Sequence, residues 1–137
     1  MKQTFLCLVC LIILIVSQNT SAQFPGLGTS EILPVDAAFR FGYLEEDAGI
    51  TLFWQVQPGY FLYRDKIAVL MDGTEIDLQL AEGRWYLDET FGRVRVLDGY
   101  VSTGIPRAIG KVSVHYQGCA ERGYCYPPQA EEITSVK

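Results

Sequence analysis

The chain has a single histidine, His115, and only four cysteines. One imidazole cannot complete the four-ligand set of a structural zinc site, even joined by Cys119 and Cys125, and that pair lacks the closer Cys–Cys spacing such sites favour. On an alternating strand, His115 is expected at the surface or facing a neighbouring strand. Basic residues are also scarce, 11 against 16 acidic, which argues against nucleic acid or an anionic membrane surface as a partner. Beyond Val16 no segment is long and apolar enough to cross a bilayer. No apolar stripe has the period of an amphipathic helix of three turns.

What is present begins with Lys2, an apolar run from Phe5 to Val16, and the small polar exit Ser17-Gln18-Asn19-Thr20-Ser21-Ala22. This is the pattern of a secretory signal peptide, residues 1–22, with cleavage expected after Ala22; an uncleaved amino-terminal anchor is the alternative. Cys7 and Cys10 have CxxC spacing, but inside the apolar run a sulfur is a small hydrophobe that leaves with the signal. About 115 residues remain, one domain of ordinary size, with 10 basic against 16 acidic residues. In an oxidising compartment the surviving pair, Cys119 and Cys125, is able to form a disulfide.

From Phe39 onward the apolar residues alternate. In "ITLFWQVQ" Ile50, Leu52, Trp54 and Val56 share one face, and Thr51, Phe53, Gln55 and Gln57 the other, as in a half-buried strand. "KIAVLM", "EIDLQL", "GRVRVL" and "KVSVHY" repeat the signal, and "EEITSV" adds a weaker one. Pro58-Gly59, Asp72-Gly73, Glu82-Gly83, Asp98-Gly99 and Ile105-Pro106 mark the turns. Many short strands at close spacing predict an all-β antiparallel sandwich. Residues 23–34, rich in Gly, Pro and Ser, read as an extended arm.

Cys119 and Cys125 are too close in the chain to bridge two sheets, as the core disulfide of an antibody-type domain does. They fall where "KVSVHY" runs out into a Gly-bounded loop. Three uses stay open: a staple, a metal clamp with His115, or a redox pair. A staple closing so short a loop would contribute only about 2–3 kcal/mol. The neighbours favour exchange: Gly118 and Gly123 let a partner chain approach, and Tyr124, Tyr126, Pro127 and Pro128 offer a stiff aromatic surface beside Cys125.

Three motifs, "YQGCAERGYCYPP" (Tyr116 to Pro128), "GYFLYRDKI" (Gly59 to Ile67) and "WYLDETFG" (Trp85 to Gly92), stand in the order found in one family, with "PVDAAFRF" near the start. The chain resembles the amino-terminal periplasmic domain of the thiol:disulfide interchange protein DsbD. The resemblance implies an immunoglobulin-like sandwich whose catalytic pair, Cys119 and Cys125, passes reducing equivalents to periplasmic proteins, with Cys125 forming the mixed disulfide and Cys119 resolving it. It implies a cap loop, Asp88-Glu89-Thr90-Phe91-Gly92, and site-lining residues Phe61 and Tyr63; Tyr124 and Tyr126 are added from their places beside Cys125. Asp88 and Glu89 are candidates for tuning thiolate formation. It further implies a thioredoxin-like donor domain linked to a membrane electron transporter, expected here on a separate protein. Expected acceptors are a periplasmic disulfide isomerase or thioredoxin-like proteins of cytochrome c maturation. No cofactor or metal is expected beyond the disulfide, and the domain is expected to be a monomer.

This chain has Thr90 where the family cap carries an aromatic, and Phe91 and Phe61 where tyrosines are expected. Phe91 is expected to turn inward and take over the shielding of the sulfurs. The rival reading is an immunoglobulin-like binding module with an inert disulfide.

Overall fold

The alternation that starts at Phe39 becomes an all-antiparallel β structure. A computed structural model of the protein describes residues 31–107 and 110–134; the expected signal peptide and the arm up to residue 30 lie outside the described residues. The elements are a one-turn helix α1 (Val35–Ala38), then β1 (Phe39–Glu46), β2 (Gly49–Val56), β3 (Tyr60–Tyr63), a 3-10 turn (Arg64–Lys66), β4 (Ala68–Met71) and β5 (Thr74–Ile76). They continue with β6 (Arg84–Asp88), β7 (Gly92–Leu97), β8 (Tyr100–Ile105), β9 (Lys111–Tyr116), β10 (Gly118–Ala120), β11 (Tyr124–Cys125) and β12 (Gln129–Thr134).

Three sheets form, ordered β1-β2-β8, β12-β9-β4-β5 and β11-β10-β3-β7-β6. The main core lies between the inner faces of the first two. Ile50, Leu52, Trp54 and Val56 of β2 are buried as the alternation requires, with Val101 and Ile105 of β8 beside them and Val69, Val112, Val114 and Ile133 of the second sheet in the same cluster. The third sheet closes the core with Tyr60, Leu62, Leu97 and Ala120.

β3 explains how this core leads to the functional site. All four of its residues, Tyr60-Phe61-Leu62-Tyr63, are buried. Tyr60 and Leu62 face the main core, whereas Phe61 and Tyr63 join Val96 and Cys119 in a second, smaller cluster on the opposite face. A strand covered on both sides has no polar face, so it carries no alternation to read.

One expectation needs adjustment. "EIDLQL" forms strand only up to Ile76; Leu78 and Leu80 still pack on the core, and Thr103 Oγ1 donates to the Gln79 carbonyl at 3.3 Å in place of a ladder partner. The described end of the arm is not free. The Leu33 N–H donates to Tyr60 Oη at 2.9 Å, and Tyr126 Oη donates to the Leu33 carbonyl at 2.5 Å, so Leu33 is bound to two buried tyrosines of the core.

Because Leu52 is fully buried in the main core, Leu52→Ala is expected to cost about 2–5 kcal/mol. Gln55→Ala, on the exposed side of the same strand, is expected to stay within about 0.5 kcal/mol of the parent. Urea unfolding of the two variants checks the assignment of faces.

Candidate functional site

The cysteine pair lies in a hairpin rather than the expected loop. β10 pairs with β11 so that Cys119 stands directly opposite Cys125, and with β3 so that Cys119 stands opposite Phe61. Opposed positions bring the Cα atoms to 4.0 Å, and the two sulfurs are joined as a disulfide. The connecting turn needs Gly123, whose φ of +89° is costly for any side chain. Gly118 has another use: a Cβ there would meet the Phe61 carbonyl and the Phe39 ring, so only glycine lets β10 lie this close to β3.

The two sulfurs are not equivalent. Cys119 is 1% exposed and belongs to the cluster with Phe61, Tyr63 and Val96, while Cys125 is exposed on the two-residue outer strand β11. Tyr63 contacts both: its Oη lies 3.1 Å from Cys119 Sγ and 3.7 Å from Cys125 Sγ. The same hydroxyl donates to Asp88 Oδ2 at 2.5 Å.

Asp88 ends β6, and Gly92 opposite it opens β7, so the segment expected as a cap is the tip of the β6–β7 hairpin. Its remaining carboxylate oxygen, Oδ1, accepts the Thr90 N–H at 2.8 Å and the Phe91 N–H at 2.9 Å, a local aspartate turn that fixes the tip. Burial would push the Asp88 carboxyl up, but the hydrogen bonds from Tyr63, Phe91 and Thr90 outweigh it and hold the group below its ordinary value. Burial, then the Asp88 hydrogen bond and charge, push the Tyr63 phenol well above its ordinary value. Asp88 is therefore ionised and Tyr63 protonated at neutral pH.

The expected site residues divide into those gathered around the sulfurs and those placed elsewhere. Phe61, Asp88, Glu89 and Thr90 line an open cleft of about 290 Å³ with both cysteines, joined by Tyr86, Ala120, Glu121, Arg122 and Gly123. Phe91 does not line this cleft: its ring packs edge-on against Tyr63 with centroids 5.5 Å apart, and it remains 46% exposed. Tyr126 goes into the main core, edge-on to Phe39 at 5.3 Å; Tyr124 is exposed and leans on Tyr126 at 5.0 Å. Neither lines the cleft. His115, on β9, has Nε2 2.9 Å from Ser113 Oγ, and among the described residues no group of His, Cys, Asp and Glu is placed to hold a metal ion.

Tyr86 went unnoticed in the sequence although it packs on Phe61 at 4.6 Å. Its one signal was that it stands two residues before Asp88, and so shares a strand face with it.

Fold and site together define an immunoglobulin-like β-sandwich that carries, at one sheet edge beside a hairpin tip, a disulfide between a buried cysteine and an exposed one. The sequence model described as "Thiol:disulfide interchange protein DsbD, N-terminal" matches residues 29–137, and the chain belongs to that family. The DsbD protein of Vibrio vulnificus strain CMCP6 is 38% identical over 120 residues, covering 84% of this chain and 20% of that protein. That of Escherichia coli strain K12 is 34% identical over 131 residues, covering 90% and 23%. The chain thus spans about a fifth of the length of these curated relatives. Among solved structures, the reduced N-terminal domain of Neisseria meningitidis DsbD is similar with a TM-score of 0.70 at 30% identity, covering 79% of this chain and 92% of that one. The complex of the DsbD and PilB N-terminal domains from the same organism gives a TM-score of 0.62 at 29% identity, covering 75% and 86%.

Asp88→Asn tests the hairpin-tip network. A carboxyl held below its unfolded value adds stability above about pH 4 that is lost as pH falls through the folded value. The variant is therefore expected to be about 2–3 kcal/mol less stable than the parent near neutrality, with the gap closing in acid. Urea unfolding of both proteins across pH checks this; a gap that stays constant with pH contradicts it.

Proposed function

We propose that this domain is a periplasmic thiol–disulfide oxidoreductase that carries two electrons on Cys119 and Cys125. The observation that carries the reading is the unequal exposure of the two cysteines. Exchange needs one sulfur that a partner can reach and a second, held close, to resolve the mixed disulfide; Cys125 is exposed and Cys119 buried.

In the loading half-reaction, a donor thiolate attacks Cys125 Sγ and the intramolecular S–S bond breaks. Its electron pair passes to Cys119 Sγ, which lies 3.1 Å from the Tyr63 hydroxyl oxygen. The donor's second thiolate then attacks its own sulfur in the mixed disulfide and releases Cys125. The donor leaves oxidised and the domain holds two thiols. In the delivery half-reaction Cys125 thiolate attacks the acceptor's disulfide and expels one acceptor sulfur as thiolate. Cys119 then attacks Cys125 Sγ, and the acceptor leaves as a dithiol. No further cofactor enters the balance.

The donor in this reading is a thioredoxin-like domain linked to a membrane electron transporter. The acceptors are thioredoxin-like disulfide proteins of the same compartment, such as a disulfide isomerase or the proteins of cytochrome c maturation. The family membership and the complex solved for the Neisseria relative support a partner of that kind docking at the cysteine edge. The hairpin tip Asp88-Glu89-Thr90-Phe91-Gly92 acts as the cap that such a partner displaces.

If Cys125 is the attacking sulfur, Cys119→Ala is expected to accumulate a mixed disulfide with a thioredoxin-like partner, because nothing remains to resolve it, and Cys125→Ala little or none. Non-reducing electrophoresis after mixing each reduced variant with oxidised partner reads the outcome. Equal trapping by both variants contradicts the assignment of roles.

A further inference from the structure

Asp88 fixes the backbone of the hairpin tip through the Thr90 and Phe91 N–H groups, not through the Phe91 ring. That ring is held by a different residue. Lys66 closes the 3-10 turn that directly follows β3, three residues after Tyr63, and its Nζ lies 4.4 Å from the centroid of the Phe91 ring. The ring thus has an ammonium against it and meets Tyr63 edge-on at 85°. Among the ion pairs of the described residues none involves Lys66, so no carboxylate competes with the ring for its charge. An ammonium over an aromatic face is attracted by the ring's quadrupole. Methionine at position 66 would keep the bulk and lose this attraction.

We propose that Lys66 is a latch: its ammonium holds Phe91 on Tyr63, the residue in contact with both sulfurs, and so sets how often the hairpin tip opens to let a thiolate reach Cys125. This rests on the reading of residues 88–92 as a cap. It makes Lys66 a positioning residue, acting on the disulfide only through Phe91. The turn that carries Lys66 is continuous with the strand that carries Tyr63, so the latch and the surface it closes on move as one piece. Opening the tip then requires two separate releases, the Asp88 turn and the Lys66–Phe91 contact.

The sign of the effect separates a latch from simple electrostatic steering. A cation near the disulfide that merely drew in an anionic thiolate would make reduction faster, and its removal would slow it. A latch predicts the opposite. The test is the second-order rate of Cys119–Cys125 reduction by dithiothreitol at fixed pH and ionic strength, for the parent, Lys66→Met, Lys66→Arg, Phe91→Leu and the double variant K66M/F91L. Lys66→Met is expected to be reduced about two- to fivefold faster than the parent, the population change that an exposed cation–π contact supports. Lys66→Arg, which keeps a cation on the ring, is expected at the parental rate. Phe91→Leu is expected to be faster than the parent, and K66M/F91L no faster than Phe91→Leu alone. A parental or slower rate for Lys66→Met, with Phe91→Leu accelerated, overturns the latch and leaves the cap standing. The same acceleration by K66M with and without Phe91 also overturns it, because the effect would then not pass through the ring. If Phe91→Leu itself brings no acceleration, the cap reading fails and the latch with it.

Discussion

The hydrogen bond from Tyr63 to Asp88 ties the hairpin tip to the disulfide. Tyr63 comes from β3, the strand shared between both apolar clusters, and Asp88 from the end of β6. Their contact is short, buried and charge-assisted, the kind of hydrogen bond that is strong when made and costly to leave unmade. It places a protonated phenol against two sulfurs and spends the other carboxylate oxygen on the backbone of the tip. Without it Asp88 Oδ2 would lose its donor, and the carboxylate would keep only the backbone N–H groups of the tip itself.

The asymmetry of the sulfurs has the same origin. Cys119 is buried because β10 lies against β3, an approach that the missing side chain of Gly118 permits, and because Phe61 and Tyr63 occupy the face it shares. Cys125 is exposed because β11 is two residues long and, among the described residues, no strand lies beyond it. An outer cysteine and a protected one follow from strand order, with no special chemistry at either.

Much of this was readable in the sequence wherever a strand has one wet and one dry face. β2, β7 and β9 lie where "ITLFWQVQ", "GRVRVL" and "KVSVHY" place them. β3 escaped the pattern because both its faces are covered. In "EIDLQL" the apolar side was legible but the end of the ladder was not, because Leu78 and Leu80 stay packed on the core after pairing stops. At the site, the structure brings the Cys119–Cys125 pair and the motif "WYLDETFG" to one cleft. The motifs alone could not tell Tyr124 from Tyr126, which flank the same sulfur. Only the ring pocket of Phe39 and Tyr60, far away in the chain, takes Tyr126 inward. Lys66 gave no signal either, since an exposed lysine after a strand is unremarked until the ring it covers is in view.

A disulfide that staples and one that exchanges electrons share the same bond, and they differ in how readily it is reduced and in what reduction does to the fold. Closing so short a loop contributes on the order of 2–3 kcal/mol, little beside a core built on three sheets. The most direct test is an equilibrium titration of the full chain against a dithiothreitol or glutathione series, with the fraction of free thiols read by alkylation and mass spectrometry and the fold by circular dichroism. The account predicts a midpoint above about −300 mV, the range below which structural disulfides of secreted proteins lie, and an unchanged β-sheet spectrum across the transition. A bond that stays oxidised past that potential, or a domain that unfolds as the bond opens, would contradict it.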